Sequence, residues 1–490
     1  MYNKYRQIKE ALILSDTFLY LQNAIYSSCA TRIVGKVRAI VGLTLTVGGL
    51  EAAAGIGSRC RVFGSNGVTL GEVVGAQGRD LSLLPFGSWD GVAVGDRVEL
   101  LEHEDIVFPD QSWIGTVVDA LGNPLSNLGR VRRPRRKSSF RARSPSAFER
   151  KQVGVKLETQ IKCVDIFTPI CQGQRMGVFA GSGVGKSTMM AMLARNTDAE
   201  VIVIGLIGER GREVQQFIQE DLGEEGMARA VVVVSTGDEA PLLRKQAALT
   251  TTRIAEHFKA QGKQVLLLLD SVTRFAMAQR EIGLARGEPP TLRGYPPSVF
   301  SELPQLLERA GPGRKGEGDI TSLYTVLVDG DDFNEPIADA VRGIVDGHLV
   351  LDRRIAEQGR FPAIDIQRSL SRMLPGCHSA EEFEIVRTAR SALSRYTDME
   401  DLIRLGAYRE GSDTKTDEAI RFFHKASTFL SQRRGETMSA QQSFAEMYRM
   451  ILEAGIADPL QSFFEAAPAA DASAGPAVNA GSSVNEPATL

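Results

Sequence analysis

The residues best suited to chemistry lie in one glycine-rich segment, Ala180 to Ser187, which reads Ala-Gly-Ser-Gly-Val-Gly-Lys-Ser. An apolar run precedes it and a helix-forming run follows it, which is the context of a phosphate-binding P-loop. Glycines let successive backbone N–H groups surround phosphate oxygens, and a helix N-terminus adds a favourable dipole. Lys186 is expected to reach the β- and γ-phosphates, and the Ser187 hydroxyl to bind Mg²⁺. The sequence therefore predicts a nucleoside triphosphate site formed by Gly181, Ser182, Gly183, Val184, Gly185, Lys186, Ser187 and Thr188.

Two carboxylates that follow apolar runs are candidates for the hydrolytic chemistry. Asp270 ends the run that begins at Val265, and it is expected to hold Mg²⁺, usually through a water. Many ATPases place a catalytic glutamate directly after this aspartate, but this chain has Ser271 there. Glu209 follows another apolar run, and ligands gather at the carboxyl ends of parallel strands. We therefore predict that Glu209 orients the attacking water, while Arg210 neutralises charge on the γ-phosphate.

Composition limits the class of protein. The chain has 490 residues, enough for several domains. Its formal net charge of −3 shows no overall excess of positive charge of the kind that binds nucleic acid. Its five cysteines form no CxxC pair, which indicates a reducing compartment and no zinc site. No apolar run approaches the length of a membrane span. We expect a cytoplasmic protein whose membrane role is peripheral.

Sequence patterns divide the chain into six segments. Leu14, Phe18, Leu21 and Ile25 share one helical face, and short glycine-broken runs after residue 31 are typical of a β-barrel. Apolar runs that alternate with helical stretches indicate an α/β core with a parallel sheet. The predicted order is a partner-binding helix at 1–30, a β-barrel at 31–102, a connecting segment with a basic linker at 103–153, the P-loop core at 154–376, a helical domain at 377–464 and a disordered tail at 465–490.

The connecting segment contains an unusually basic run between Arg130 and Lys137. A run of like charges beside serine and proline is normally a solvated linker. Contact with an anionic surface, either lipid or nucleic acid, is the alternative interpretation. The sequence alone does not decide between them.

Four further motifs are specific enough to indicate a family. They are Gly208-Glu-Arg-Gly-Arg212, Asp270-Ser-Val-Thr-Arg-Phe275, Gly294-Tyr-Pro-Pro-Ser-Val-Phe300 and Arg360-Phe-Pro-Ala-Ile-Asp365. In these motifs the chain resembles the catalytic core shared with rotary ATP synthase α and β subunits. Within that superfamily it most resembles the protein-export ATPases of flagellar and type III secretion systems. The segment 241–290 favours the flagellar branch, and the likeness spans roughly residues 30–460.

The resemblance assigns roles to further residues. It places Arg274 in the nucleotide site and makes Phe361 the aromatic on which adenine stacks. Arg372 matches the arginine finger that is donated into the neighbouring subunit's site, and the loop 293–300 faces the central channel of a ring. The chain departs from the family at Gln160, where relatives have glycine.

The resemblance also implies a fold, an activity and partners. The fold is a RecA-like P-loop core of α/β class, preceded by a small β-barrel and followed by a helical domain. The activity is Mg²⁺-dependent ATP hydrolysis by a homo-oligomeric ring, a hexamer, that energises export of unfolded proteins at the inner membrane. The implied partners are a dimeric stalk regulator at the N-terminus, a central stalk protein in the ring channel, export chaperone–cargo complexes, the export gate and acidic lipid.

Five alternatives stand beside the flagellar interpretation. The injectisome ATPase shares every residue named above. A synthase α subunit is disfavoured because it has glutamine at the position of Glu209, and a β subunit is disfavoured by the export-type sequence at 241–300. A ring-shaped translocase related to the termination helicase would need a basic-aromatic surface on the barrel, which the sequence lacks, so no specific nucleic acid is expected. An ATP-binding regulator without turnover is disfavoured by the intact Lys186, Glu209, Asp270 and Arg372.

Overall fold

The structure is a computed structural model that describes residues 32–101, 106–107, 109–125, 138–139, 144–328, 330 and 332–461. The helix expected at 1–30, the basic run at 130–137 and the tail at 465–490 lie outside the described residues. The described residues form two compact units. One contains the described residues up to Cys377 together with Ala426–Ser443, and the other contains His378–Lys425 and the described residues from Phe444 to Gln461.

The described residues begin with a closed antiparallel barrel, as the fold prediction expected. Alternate residues of its strands point inward and are buried, among them Leu45, Val47 and Leu83. The strands join in the order β1-β2-β5-β4-β3-β6. They are β1 (Val34–Val41), β2 (Thr44–Gly48), β3 (Arg59–Gly64), β4 (Gly67–Gln77), β5 (Asp80–Pro85) and β6 (Arg97–Leu100).

One of the glycine-broken runs forms a strand only at its end. Of the β-like run from Val92 to Leu100, the last four residues form β6. The Asp96 carboxylate accepts a hydrogen bond from the Ala93 N–H at 2.7 Å and closes a turn. This local side-chain bond competes with strand pairing, which is a common role of aspartate.

The central sheet carries the candidate site. Two further short pairs lie outside it, β7 (Ile106–Val107) with β9 (Ser138–Ser139) and β10 (Lys156–Leu157) with β11 (Ile170–Cys171). The sheet has eight strands in the order β18-β17-β12-β16-β15-β13-β14-β8, all parallel except for the antiparallel pairing of β17 with β18. They are β8 (Thr116–Val118), β12 (Arg175–Ala180), β13 (Val201–Glu209), β14 (Ala230–Thr236), β15 (Val265–Asp270), β16 (Ile320–Leu327), β17 (Gly347–Leu351) and β18 (Leu370–Ser371).

Helices cover both faces of this sheet, whose central strands are almost entirely buried. Such continuous apolar strands are typical of a parallel sheet enclosed by helices. The helices are α1 (Lys162–Phe167), α2 (Lys186–Asn196), α3 (Gly211–Gln216), α4 (Gly223–Met227), α5 (Pro241–Ala260), α6 (Val272–Ala285), α7 (Pro297–Leu307), α8 (Pro336–Ile344) and α9 (Arg353–Glu357), and a π-helical segment (Phe217–Leu222) joins α3 to α4.

The barrel packs on the core through a small apolar cluster. Val74 and Leu84 of the barrel contact Leu242 and Ile282 of the core helices α5 and α6. Buried Arg59 on β3 donates from Nη2 to Gln246 Oε1 on α5 at 3.2 Å. Burial of both apolar and hydrogen-bonded polar groups holds the barrel and the core as parts of one unit.

The second unit is helical. It contains α10 (Ala380–Arg404) and portions of α11 (Thr414–Leu430) and α12 (Ala440–Glu453). Ser379 and Glu382 form a capping box that begins α10, and the rings of Tyr396 and Phe423 stack at 3.6 Å. Within the described part of the chain, no helix is both long and apolar enough to cross a bilayer. The expected C-terminal helical domain is therefore present.

Candidate nucleotide site

The P-loop leaves β12 at Ala180 and enters α2 at Lys186, two residues earlier than the expected start of the helix. Gly183 and Gly185 have φ angles of 79° and 90°, which L-residues rarely adopt. Among the described residues, no atom lies within 4 Å of the position that a Cβ at Gly183 would occupy. The loop therefore presents bare backbone to open space, which is what a backbone phosphate cradle requires.

The remaining P-loop residues fit this arrangement. Ser182 is exposed, and its carbonyl accepts a hydrogen bond from Arg353 Nη2 at 3.2 Å. Val184 is buried and anchors the loop, while Ser187 is exposed on the first turn of α2. The ring of Phe361 lies beside the loop, because a Cβ on Gly185 would be 3.4 Å from its Cδ1. The Phe361 side chain is 44% exposed, so one side of it is available for stacking.

Lys186 is the centre of a buried charged cluster. Its Nζ lies 2.5 Å from Asp270 Oδ1 and 3.4 Å from Glu209 Oε1. Asp270 ends β15 and also accepts from Thr325 Oγ1 on the adjacent β16 at 2.7 Å. Glu209 ends the neighbouring β13, which pairs in parallel with β15. The parallel sheet thus brings together three residues that are far apart in the sequence.

Burial and unequal charge alter the acidity of this cluster. Burial raises the pKa of Glu209 to about 7, and the nearby Asp270 charge adds to the rise, although Lys186 opposes it. Burial works to lower the pKa of Lys186, but the charges of Asp270 and Glu209 outweigh it, and the net direction is upward. One ammonium therefore serves two carboxylates, and Glu209 is the carboxylate whose pKa is raised.

Two arginines are expected beside Glu209, and only Arg274 packs against the end of β13. Arg274 on α6 packs on the preceding residue, since a Cβ on Gly208 would be only 2.8 Å from the Arg274 Cβ. The Arg210 side chain is largely exposed and pairs with Glu213 at 3.1 Å. In this structure Arg210 therefore faces solvent.

Arg372 lies near the amino-terminal end of β12, whereas the P-loop of the same chain follows the carboxyl-terminal end of that strand. Its backbone N–H donates to the Asp346 carbonyl at 3.0 Å, and the Asp346 N–H donates to the carbonyl of Arg175 at 2.8 Å. Arg175 begins β12, whereas the P-loop follows the end of that strand. Six strand residues span about 17–20 Å, which exceeds the reach of an arginine side chain. The structure does not bring Arg372 together with Lys186 of the same chain.

Three residues near the P-loop were not identified from the sequence. They are Arg353, which holds the Ser182 carbonyl, Thr325, which holds Asp270, and Arg434, whose Nη2 lies 3.5 Å from Thr188 Oγ1. Thr325 could have been found from strand order, because it lies near the carboxyl end of a strand. Arg434 had no such signal, since it is 246 residues away from Thr188 along the chain.

Family models match three parts of the chain. Residues 160–371 match the nucleotide-binding domain of the ATP synthase alpha/beta family, and residues 37–102 match its β-barrel domain. Residues 378–449 match the C-terminal domain of the type III secretion ATPase EscN. These matches follow the observed succession of barrel, parallel-sheet core and helical unit.

Curated relatives and solved structures cover most of the chain. It is 48% identical over 426 residues to the flagellum-specific ATP synthase of Caulobacter vibrioides, which covers 86% of this chain and 96% of the relative. It is 45% identical over 418 residues to the flagellum-specific ATP synthase of Bacillus subtilis, and the match covers 84% of this chain and 94% of that relative. The assembled ATPase EscN from the enteropathogenic E. coli type III secretion system superposes with a TM-score of 0.79 at 36% identity, covering 85% of this chain and all of EscN.

These matches cover most of each chain at more than 30% identity, so they establish the family as well as the fold. The nucleotide-binding core and the names of the relatives agree on an ATPase. The chain is an ATPase of the ATP synthase alpha/beta family and belongs to the branch that contains the flagellum-specific ATP synthases and the type III secretion ATPases.

Proposed function

We propose that the chain hydrolyses Mg-ATP in a homo-oligomeric ring, a hexamer, and thereby energises export of unfolded proteins through a flagellar type III apparatus. The observation that carries the hydrolytic part is the cluster of Lys186, Glu209 and Asp270 beside the P-loop. A cation and two carboxylates at the ends of adjoining parallel strands supply phosphate binding, a metal ligand and a base in one place.

Each residue of the cluster has a separate task. Lys186 is positioned to exchange its carboxylate partners for the β- and γ-phosphates. Ser187 and Asp270 are oxygen donors, which suits Mg²⁺, and together they would hold the ion beside the P-loop. When bound, Mg²⁺ neutralises charge on the phosphates. Glu209 accepts a proton from the attacking water, and a pKa of about 7 suits a base that works near neutral pH.

The other site residues act on charge and position. Phe361 supports adenine with its exposed face, and its location against Gly185 supports this role. Arg274 stabilises charge near Glu209, and Arg210 does so after leaving its pair with Glu213. Arg372 acts on the site of the neighbouring subunit, because it cannot reach its own P-loop. In such a ring each chain supplies both a site and a finger, so a single gene product would suffice.

Two observations on relatives support a ring with partners. EscN has been solved as an assembled ATPase and also in complex with its central stalk EscO, and the latter structure is 37% identical to this chain. By analogy we propose a central stalk protein in the channel lined by the loop 293–300. We also propose a dimeric stalk regulator bound at residues 1–30, export chaperone–cargo complexes, and contact with the export gate and acidic lipid at the cytoplasmic face of the inner membrane.

We assign the flagellar rather than the injectisome pathway because of the relatives' names. Eight curated relatives at 42–48% identity are flagellum-specific ATP synthases. The EscN structures from an injectisome stand at 36–37% identity. The injectisome ATPase remains the second candidate, since its catalytic residues are expected to be the same.

The proposal is tested by separating ATP binding from hydrolysis. Glu209→Gln keeps the size and hydrogen bonding of the side chain but removes the charge that polarises water. We expect ATP affinity to stay near normal and turnover to fall by about two to four decades, the scale of a positioned base. Lys186→Ala should weaken ATP binding as well. Glu224→Gln, an exposed acid on α4, serves as the matched control and should leave both unchanged.

The same variants test the cellular role. In a flagellated bacterium that lacks its own flagellar export ATPase, the wild-type chain should restore motility, whereas Glu209→Gln should restore little. In a strain that lacks only its injectisome ATPase, the chain should not restore secretion. Wild-type hydrolysis by Glu209→Gln would refute the base, and restoration of secretion but not motility would favour the injectisome.

A further inference from the structure

A second arginine approaches the P-loop helix from a distant part of the chain. Arg434 lies in the turn between α11 and α12, within the part of the chain that packs on the nucleotide core. Its Nη2 is 3.5 Å from Oγ1 of Thr188, the third residue of α2. The Arg434 side chain is 39% exposed, so its guanidinium can still meet a ligand in solvent.

The segment that carries Arg434 is fixed to the core by its neighbour Gln432, which is 3% exposed. The Gln432 backbone N–H donates to the carbonyl of Phe361 at 2.7 Å. Its side-chain Oε1 accepts from the Lys162 N–H at 3.0 Å, and its Nε2 donates to the Gln160 carbonyl at 2.7 Å. The same turn therefore holds the backbone of the proposed adenine platform and places Arg434 against the P-loop helix.

Arg434 also has an acidic partner, and the two residues line a small pocket with Met192 and Arg195 of α2. It forms an ion pair with Asp221, a carboxylate that is 5% exposed on the π-helical segment. That segment continues directly from α3, which begins two residues after Glu209. π-Helical turns are rare and are frequently found at functional sites. Burial raises the pKa of Asp221, and the positive charge of Arg434 opposes this rise.

We propose that Arg434 is a nucleotide-binding residue that contacts the α-phosphate of ATP or ADP, and that Asp221 competes with the nucleotide for it. The inference rests on the proposed function of the P-loop. Lys186 and Glu209 mark the γ-phosphate end of the site, and Phe361 marks the adenine end. Arg434 comes from the turn that holds Phe361 and reaches Thr188 on α2. The phosphate between those two ends is the α-phosphate, which a guanidinium binds well.

The test compares two substitutions that remove the same ion pair from opposite sides. If Arg434 binds nucleotide, Arg434→Gln should weaken ATP and ADP binding equally, by about tenfold or more, the scale of a lost charge-assisted hydrogen bond. Equal loss follows because both nucleotides carry the α-phosphate. Asp221→Asn should leave the affinity unchanged or tighten it, because it frees Arg434. Binding is measured by fluorescence titration with a labelled nucleotide and competition by ATP and ADP.

Controls separate the contact from a structural role. Arg433→Gln removes the adjacent exposed arginine and should not change affinity. The turnover of Arg434→Gln at saturating ATP should stay within about twofold of wild type. The contact with the α-phosphate stabilises the bound substrate and the transition state equally, so its loss weakens binding without raising the barrier from bound ATP. The melting temperature of each variant without nucleotide is measured in parallel. If Asp221→Asn fails to fold, the ATP and ADP affinities of Arg434→Gln decide alone.

Three results would overturn the inference. The first is an unchanged nucleotide affinity in Arg434→Gln, and the second is a loss of affinity in that variant for ATP but not for ADP. The third is a loss of affinity in Asp221→Asn as large as the loss in Arg434→Gln. The last would mean that the ion pair only braces the fold. Failure of the proposed function is distinguishable, because in that case Lys186→Ala would also bind nucleotide normally.

Discussion

Among the described residues, Glu209 and Asp270 share one cation, Lys186, and this excess of negative charge determines the chemistry available to each carboxylate. Asp270 has the shorter contact with Lys186 and an additional hydrogen bond from Thr325. Glu209 has the longer contact and is half-buried at the end of β13. A carboxylate beside another carboxylate, with incomplete compensation, favours its protonated form. Glu209 is therefore the group whose proton can be exchanged near neutral pH.

The raised pKa of Glu209 predicts how the rate depends on pH. A carboxyl group with a pKa of about 7 becomes protonated as the pH falls through that value, so the base is lost on the acid side. We expect kcat/KM for ATP to fall about tenfold per pH unit below 7 and to level off above it, because this parameter reports the free enzyme. The measurement is a steady-state profile over a pH range in which circular dichroism shows the fold intact. A profile that stays flat down to pH 5 would contradict it.

At the scale of elements, the end of β13 is shaped by one glycine. Gly208 has a φ of 71°, and the pairing of β13 with β14 shifts register between Ile207 and Glu209. A bulge of this kind redirects the following side chain. Because any Cβ at Gly208 would overlap Arg274, the close approach of α6 to the strand also depends on this glycine.

Gly208→Ala should therefore damage the site without touching a catalytic side chain. The positive φ and the contact with Arg274 each resist the methyl group, and we expect the free energy of unfolding to fall by about 1–3 kcal/mol. Turnover should fall as well, since Glu209 and Arg274 both shift. Gly211→Ala is the matched control, because no described atom lies within 4 Å of its Cβ position. Denaturant unfolding and ATPase assays check both; equal behaviour of the two variants would refute the argument.

At the scale of the whole molecule, one chain presents its nucleotide site and its proposed arginine finger at opposite ends of the strands of one sheet. Arg372 lies where β12 begins, and Lys186 lies beyond the point where that strand ends. A protomer that offers complementary parts at two places forms a heterologous contact, which closes into a ring when the rotation permits. The proposed hexamer follows from this asymmetry and from the family resemblance.

Mixing two inactive variants tests this arrangement. In Arg372→Ala the base is intact but the finger is lost, and in Glu209→Gln the reverse holds. Each variant alone should be nearly inactive, since a finger contributes about three to five decades of turnover in related systems. An equal mixture should regain activity at about a quarter of the interfaces, where an intact site meets an intact finger. The specific activity of the wild type should also rise with protein concentration. No recovery after subunit exchange would argue against a shared site.

The sequence by itself determined the class of protein and the local parts of its site. The P-loop, the strand that ends at Asp270 and the short strands of the barrel are read from contiguous residues, whose types are constrained by local backbone geometry and burial. The family resemblance predicted a barrel, a parallel-sheet core and a helical domain, and the structure confirms that fold. The β-like run at 92–100 forms a strand only over its last four residues, because the Asp96 carboxylate accepts a hydrogen bond from the Ala93 N–H and closes a turn.

The tertiary structure alone decided which distant residues meet. It added β8, from the segment expected to be a connection, to the edge of the core sheet. It also gave Gln160 a φ of 55°, at a position where the family resemblance leads us to expect glycine. It also brought Arg434 to Thr188, and it placed Arg372 at the end of β12 opposite to Lys186. Contacts of this kind depend on strand order and on packing across hundreds of residues, and neither leaves a periodic signal in the sequence.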